Sequence, residues 1–293
     1  MTHKNPIPWS ASLLRRDLNA RAQHLATTGR LLHEQTTGNS PSILFGHEEQ
    51  ADQARHGNFH PASYAAICAN PNWSRRLTKV HTAHRRVRAR ADWHWRELDC
   101  ANSSDALLMN IFCHPLVSTG DALSTPVANL LGVDATAQPH FGIHPGVPLH
   151  DSSCGRTNLK DRTEIDLQLD NLFVEAKLTE TGFQNAKPRL IERYRDLETV
   201  FDIPRLPWTT DGTMQGYQLI RNVLAAFASD ASFCVLCDAR RRDLIEVWYS
   251  VLSAVHRPTF AWRLKLLTWQ ELAAALPQDL QQFLEVKYGI EPA

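Results

Sequence analysis

One short stretch constrains this chain more than any other. Over residues 164–169 apolar and polar side chains alternate, with Ile165, Leu167 and Leu169 on one face and Glu164, Asp166 and Gln168 on the other. Asp170-Asn171 suits a tight turn, after which Leu172, Val174, Ala176 and Leu178 alternate with Phe173, Glu175, Lys177 and Thr179. A period of two on both sides of turn residues predicts a β-hairpin, whose apolar face needs covering. The chain downstream supplies the cover. Its apolar spacing predicts helices over residues 188–199, 214–228 and 243–255, strands over 232–238 and 260–267, and a closing helix over 269–287. A hairpin followed by alternating helices and strands predicts a mixed central β-sheet flanked by helices, of the α/β or α+β class.

Upstream the pattern differs. Residues 1–60 read as polar helix and loop, with one apolar stripe (Leu13, Leu14, Leu18, Ala22, Leu25, Leu31) marking a helix over 10–32. A short helix is expected over 61–69, and Asn102-Ser103-Ser104-Asp105 offers caps for another over 106–112. A further short helix is expected over 127–131, inside a stretch rich in Gly, Pro, His and Ser. The expected division is a helical, basic N-terminal region over residues 1–95 and a core over residues 96–293.

Composition sets the class. The 293 residues are 43% hydrophobic and carry 13 Gly and 16 Pro, which is globular rather than disordered or collagen-like. Apolar runs fall far short of the roughly 20 residues a bilayer requires. The N-terminus has no apolar stretch of the signal-peptide kind, and six Cys are too sparse for a disulfide framework. These features predict a soluble, cytoplasmic protein. Its 31 basic and 31 acidic residues balance, yet residues 73–96 hold eight cations against the single acid Asp92. Arg75, Arg76, Lys79, Arg85, Arg86, Arg88 and Arg90 lie in that stretch among Trp73, Trp93 and Trp95, so it suits phosphate contact and stacking. The plainer reading is a solvated face paired with acids elsewhere.

The hairpin also carries chemistry. Strand periodicity puts Asp166 on one face of the first strand, and Glu175 and Lys177 on one face of the second. Around a tight turn those faces coincide, so two carboxylates and an ammonium converge. Two such carboxylates repel, and a divalent cation is the usual reason to keep both ionised. Mg²⁺ takes oxygen ligands and keeps several waters, one of which becomes a candidate nucleophile beside Lys177. The lysine can orient or deprotonate that water, or offset charge on a pentavalent phosphate. Metal-assisted phosphodiester hydrolysis by Asp166, Glu175 and Lys177 is the expectation. Glu164 shares their face as a further metal ligand or as a neighbour.

Asp166 followed by Glu175-Ala176-Lys177 resembles the signature of the PD-(D/E)XK nuclease superfamily, whose members carry these residues on adjacent strands of a restriction-endonuclease-like core. The resemblance extends over about residues 95–290, taking in Ser103-Ser104-Asp105-Ala106, Asn110-Ile111-Phe112 and Lys287-Tyr288-Gly289. It implies a Mg²⁺-dependent endodeoxyribonuclease of restriction or defence type, with Mn²⁺ as a substitute ion and two copies acting on the two strands of DNA. Many members place a Gln from a later helix at the site, which implies that role for Gln218, with Arg221 on the same helical face. The family often draws another acid from an upstream helix, and Glu97 and Asp105 both answer to it. Readings that stay open are a nucleic-acid-binding module of the same fold without cleavage, and an RNA-directed or repair nuclease.

Three other motifs are weaker. A second Glu-x-Lys, Glu285-Val286-Lys287, sits at a predicted helix C-terminus, where a surface ion pair is expected. His140, His144, His150 and Cys154 have zinc-like spacing but no paired Cys-x-x-Cys, and are read as a DNA-facing or merely polar loop. Cys234 and Cys237 fall three apart on a strand, hence on opposite faces, and are read as core residues. No phosphate-binding Gly-rich loop and no dinucleotide fingerprint is present, which argues against ATP and NAD.

Overall fold

The computed structural model describes residues 9–36, 41–50, 53–80, 96–150, 159–256 and 260–293. The chain divides into two compact units, one of residues 11–139 with 269–293, the other of residues 1–10 with 140–268.

In the first unit the helix Ala11–Thr28 buries Leu14, Leu18, Ala22 and Ala26, a stripe at four-residue spacing, and Ala22 and Ala26 pack with Ile43, Phe45 and Ala101. The stretch expected as loop contains two short antiparallel ladders, His33–Gln35 with Ile43–Phe45 and His47–Gln50 with Gln53–His56. Strands of three or four residues offer too few alternations for period two to stand out. The helix Pro61–Ala69 starts at its proline with His60 as cap, and Ser103 caps the helix Ser104–Phe112 by accepting the Ala106 N–H at 3.2 Å. The closing helix is broken in two, Trp269–Ala273 and Gln278–Tyr288, with Pro277 as the cap of the second. Near its end Lys287 is fully buried rather than surface-paired, and donates to Asn58 Oδ1 at 2.5 Å.

The second unit holds the five-stranded sheet. Its strands are β1 (Pro139–Ile143), β2 (Ile165–Leu169), β3 (Leu172–Ala176), β4 (Ser232–Cys237) and β5 (Leu264–Thr268), in the order β5-β4-β3-β2-β1. β2 and β3 form the expected antiparallel hairpin, with Leu167 opposite Val174 and Leu169 opposite Leu172. Asp170 makes the turn in the left-handed region, at φ 52°. β4 runs parallel to both β3 and β5, and those connections pass through α1 (Tyr217–Ala228) and α2 (Arg242–Ser253), as parallel pairing requires. Phe173, Leu219, Val223, Phe233, Val235 and Trp248 belong to one buried cluster that joins sheet and helices. The fold is the mixed, helix-flanked sheet the sequence predicts.

Three local expectations change, the first being that the last strand starts at Leu264, after a 3₁₀ turn over Ala261–Arg263. Residues 188–199 form two single helical turns, Pro188–Ile191 and Leu197–Val200, and α1 starts at Tyr217 rather than 214. Met214–Gln215 instead pairs with Asn185–Ala186, and Gly216, at φ 71°, turns the chain into the helix. Cys234 and Cys237 are buried thiols of β4, and burial pushes Cys237 up to about 12. Among the described residues no helix is long and apolar enough to cross a membrane.

Candidate active site

The hairpin and α1 build a polar cluster inside the second unit. Carrying the hairpin register one residue further sets Asp166 opposite Glu175, on one face of the sheet. Asp166 Oδ2 accepts the Ala176 N–H at 2.8 Å, which ties the carboxylate to the neighbouring strand. Glu175 is fully buried. Its Oε1 accepts from Lys177 Nζ and from Gln218 Nε2, both at 2.6 Å, and its Oε2 accepts from Asn222 Nδ2 at 2.8 Å. Burial of a carboxylate is tolerable only with donors of this number and charge.

Each element has a reason to place its side chain there. β3 is covered on every residue, so Glu175 and Lys177 point into protein rather than solvent. The Lys177 N–H bonds to the Leu236 carbonyl of β4 at 2.8 Å, which extends the ladder one residue past the strand and holds the lysine backbone. In α1, Gln218 and Asn222 are four apart and therefore stacked on one helical face. Asn222 in turn accepts from Thr163 Oγ1 at 2.7 Å, so its amide orientation is fixed from behind.

The electrostatics follow from this packing. Burial pulls the Lys177 ammonium down, but Glu175, Glu180 and Asp166 together outweigh it and raise the group above its ordinary value. Lys177 is therefore a firmly held cation. Glu180 is an acid the sequence reading missed. Its Oε2 accepts the Leu178 N–H at 2.6 Å, and Arg241, fully buried, binds the carbonyls of Leu178 and Glu180 at 2.9 Å each. Asn222 and Thr163 were missed too. Spacing flags Asn222, four residues after Gln218, but nothing local marks Thr163.

The structure thus brings together Asp166, Glu175, Lys177 and Gln218. Glu164 lies half-buried just before β2, and the three acids Asp166, Glu175 and Glu164 are not gathered as one tight set of donor atoms. Arg221 stacks on the Tyr217 ring at 5.4 Å, beside a hydrogen-bonded chain from Tyr217 through Tyr194 to Asp161. Glu97 and Asp105 belong to the other unit, where Asp105 pairs with Arg76 and Lys79 at 2.8 Å each. Arg75 is exposed and donates to Asn72 Oδ1 at 2.7 Å. Arg85, Arg86, Arg88 and Arg90 lie outside the described residues, as does Cys154; His140, His144 and His150 are exposed.

The mixed, helix-flanked five-stranded sheet is consistent with a restriction-endonuclease-like protein. A family model described as "Restriction Endonuclease associating with ARP" matches residues 19–289, and the chain belongs to that family. No curated protein and no solved structure matches it.

Proposed function

We propose that this chain is a Mg²⁺-dependent endodeoxyribonuclease of the PD-(D/E)XK type, which hydrolyses phosphodiester bonds in double-stranded DNA and serves in restriction or defence. The observation that carries the reading is the convergence of Lys177 and Gln218 on Glu175 Oε1, beside Asp166 on the paired strand. Asp166 and Glu175 offer oxygen donors only, the set a hard cation takes, so they fit Mg²⁺ or Mn²⁺, with Glu164 as the nearest further acid in sequence. Such an ion, when bound, supplies Lewis acidity and an activated water.

The chain's own residues do the rest. Lys177, kept protonated by three acids, acts as a cation that orients the attacking water and offsets charge growing on the phosphate, rather than as the base. Gln218 and Asn222 hold the Glu175 carboxylate in one orientation, and the Ala176 N–H holds Asp166. Arg75, Arg76, Lys79, Arg85, Arg86, Arg88 and Arg90 would track the DNA backbone. Sparse cysteine usage supports the cytoplasm as the compartment.

Supercoiled plasmid is the test. Nicking or linearisation should require Mg²⁺, stop with EDTA, and be lost in Asp166→Ala. Cleavage that Asp166→Ala leaves intact would overturn the assignment. The basic segment also favours a second reading, a DNA-binding module without cleavage, which predicts a gel shift with no product in Mg²⁺ or Mn²⁺.

A further inference from the structure

We infer that His60, His114 and Asp279 form a binding site for a zinc-like divalent transition-metal ion in the unit that does not carry the hairpin. Their donor atoms all lie within 4.8 Å of one another, the one group of three such residues so gathered among the described residues. His114 Nε2 is 3.4 Å and His60 Nε2 3.8 Å from Asp279 Oδ2. Those separations are too long for good hydrogen bonds. They are close to the roughly 3.4 Å between two ligands that each sit about 2.0–2.1 Å from a tetrahedral ion. His114 adds an independent observation. Its ring is 1% exposed, and its Nε2, aimed at the carboxylate, is buried with no hydrogen-bond partner.

The surroundings hold the three donors in place. His60 caps the helix Pro61–Ala69, His114 follows the helix Ser104–Phe112, and Asp279 sits in the first turn of Gln278–Tyr288. The two rings lie 4.9 Å apart, and Phe283 meets the His60 ring edge-on at 5.5 Å. The Leu280 N–H occupies Asp279 Oδ1 at 2.9 Å, which leaves Oδ2 towards the rings.

Without metal, each Nδ1 accepts a backbone N–H at 3.3 Å, from Ala62 for His60 and Leu116 for His114, which puts the ring proton on Nε2. Binding therefore moves each proton from Nε2 to Nδ1 by exchange with water, with no net release, and gives up two long contacts. Two imidazoles and one carboxylate select zinc, cobalt or nickel over Mg²⁺. The ion would staple segments 54 and 165 residues apart in the chain, with water in the fourth position and Asp279, 54% exposed, at the solvent side.

The test is a Zn²⁺ titration of the full chain in excess Mg²⁺, read by competition with a chromophoric chelator, and a Co²⁺ titration read by visible absorption. One equivalent per chain with Kd of about 1 μM or tighter, a tetrahedral Co²⁺ band and a Zn²⁺-dependent rise in Tm are expected. Asp279→Ala and His60→Ala should each weaken that binding tenfold or more and remove the Tm rise. Asp279→Ala, at a side chain that is half exposed, should retain the metal-free Tm; His60→Ala also removes a helix cap, so it is read by its loss of metal binding alone. No such equivalent, or a loss smaller than tenfold in Asp279→Ala, would overturn the site.

Discussion

Single residues carry the sharpest consequences. Glu175 is a buried carboxylate held by three donors, and their contributions differ. Asn222 is fully buried and also satisfies Thr163, so Asn222→Ala orphans two groups and should cost about 1–3 kcal/mol in urea denaturation. It should also slow single-turnover cleavage by about 10- to 100-fold, the range seen when a group orienting a metal ligand is lost. Gln218 is only half-buried, so Gln218→Ala should leave stability within about 1 kcal/mol while slowing the same step. A stability loss equal to that of Asn222→Ala would contradict this division. Lys287 supplies a pH prediction. Burial pushes it down to about 7 in the folded chain, against about 10.4 when unfolded, so the unfolded state binds the extra proton between those values. Its burden on stability is full below about pH 7 and fades as pH rises towards 10. Urea denaturation from pH 6 to 9.5 should show the wild type gaining several kcal/mol relative to Lys287→Met; parallel pH curves would contradict the assignment.

At the scale of elements, legibility depended on length and locality. The β2–β3 hairpin could be read because ten residues alternate around Asp170-Asn171, and a one-residue slip would expose Ile165, Leu167 and Leu169. The three- and four-residue strands between His33 and His56 could not, since so short a stretch fixes no period. Residues 188–199 carried helix-like apolar spacing, but the chain makes two separate turns there. Asp166, Glu175, Lys177 and Gln218 were legible because strand alternation and a helix start place them; Thr163, Glu180 and the set His60, His114 and Asp279 are joined only by tertiary packing. Lys287 was misread because a helix C-terminus says nothing of what covers it. Gly216 tests how α1 is aimed. It adopts φ 71° at the helix start, and a Cβ there would lie 3.1 Å from Val251 Cγ2 and 3.2 Å from Val247 Cγ1. Gly216→Ala should therefore cost about 1–2 kcal/mol and slow cleavage by shifting Gln218. Wild-type stability and rate in that variant would show that the turn does not set the helix.

For the whole molecule, binding and chemistry should separate. The eight cations of residues 73–96 are not equivalent, because Arg76 and Lys79 already pair with Asp105. Replacing Arg85, Arg86 and Arg88 together by Ala should weaken DNA binding and flatten its salt dependence by up to about three units of slope, at roughly 0.9 per phosphate. Turnover of DNA already bound should change much less, since backbone contacts position the duplex. An unchanged slope would remove the segment from the DNA contact. In the proposed reaction Lys177, fixed as a cation on Glu175, stabilises the reacting phosphate. The most direct test of that role is single-turnover cleavage of pre-bound DNA by Lys177→Met, a variant that keeps the bulk of the buried stem and lacks the charge. DNA affinity should stay near that of the wild type, with a rate lower by about 10²–10³ or more. A rate within about tenfold of the wild type, in a variant that folds and binds, would contradict it.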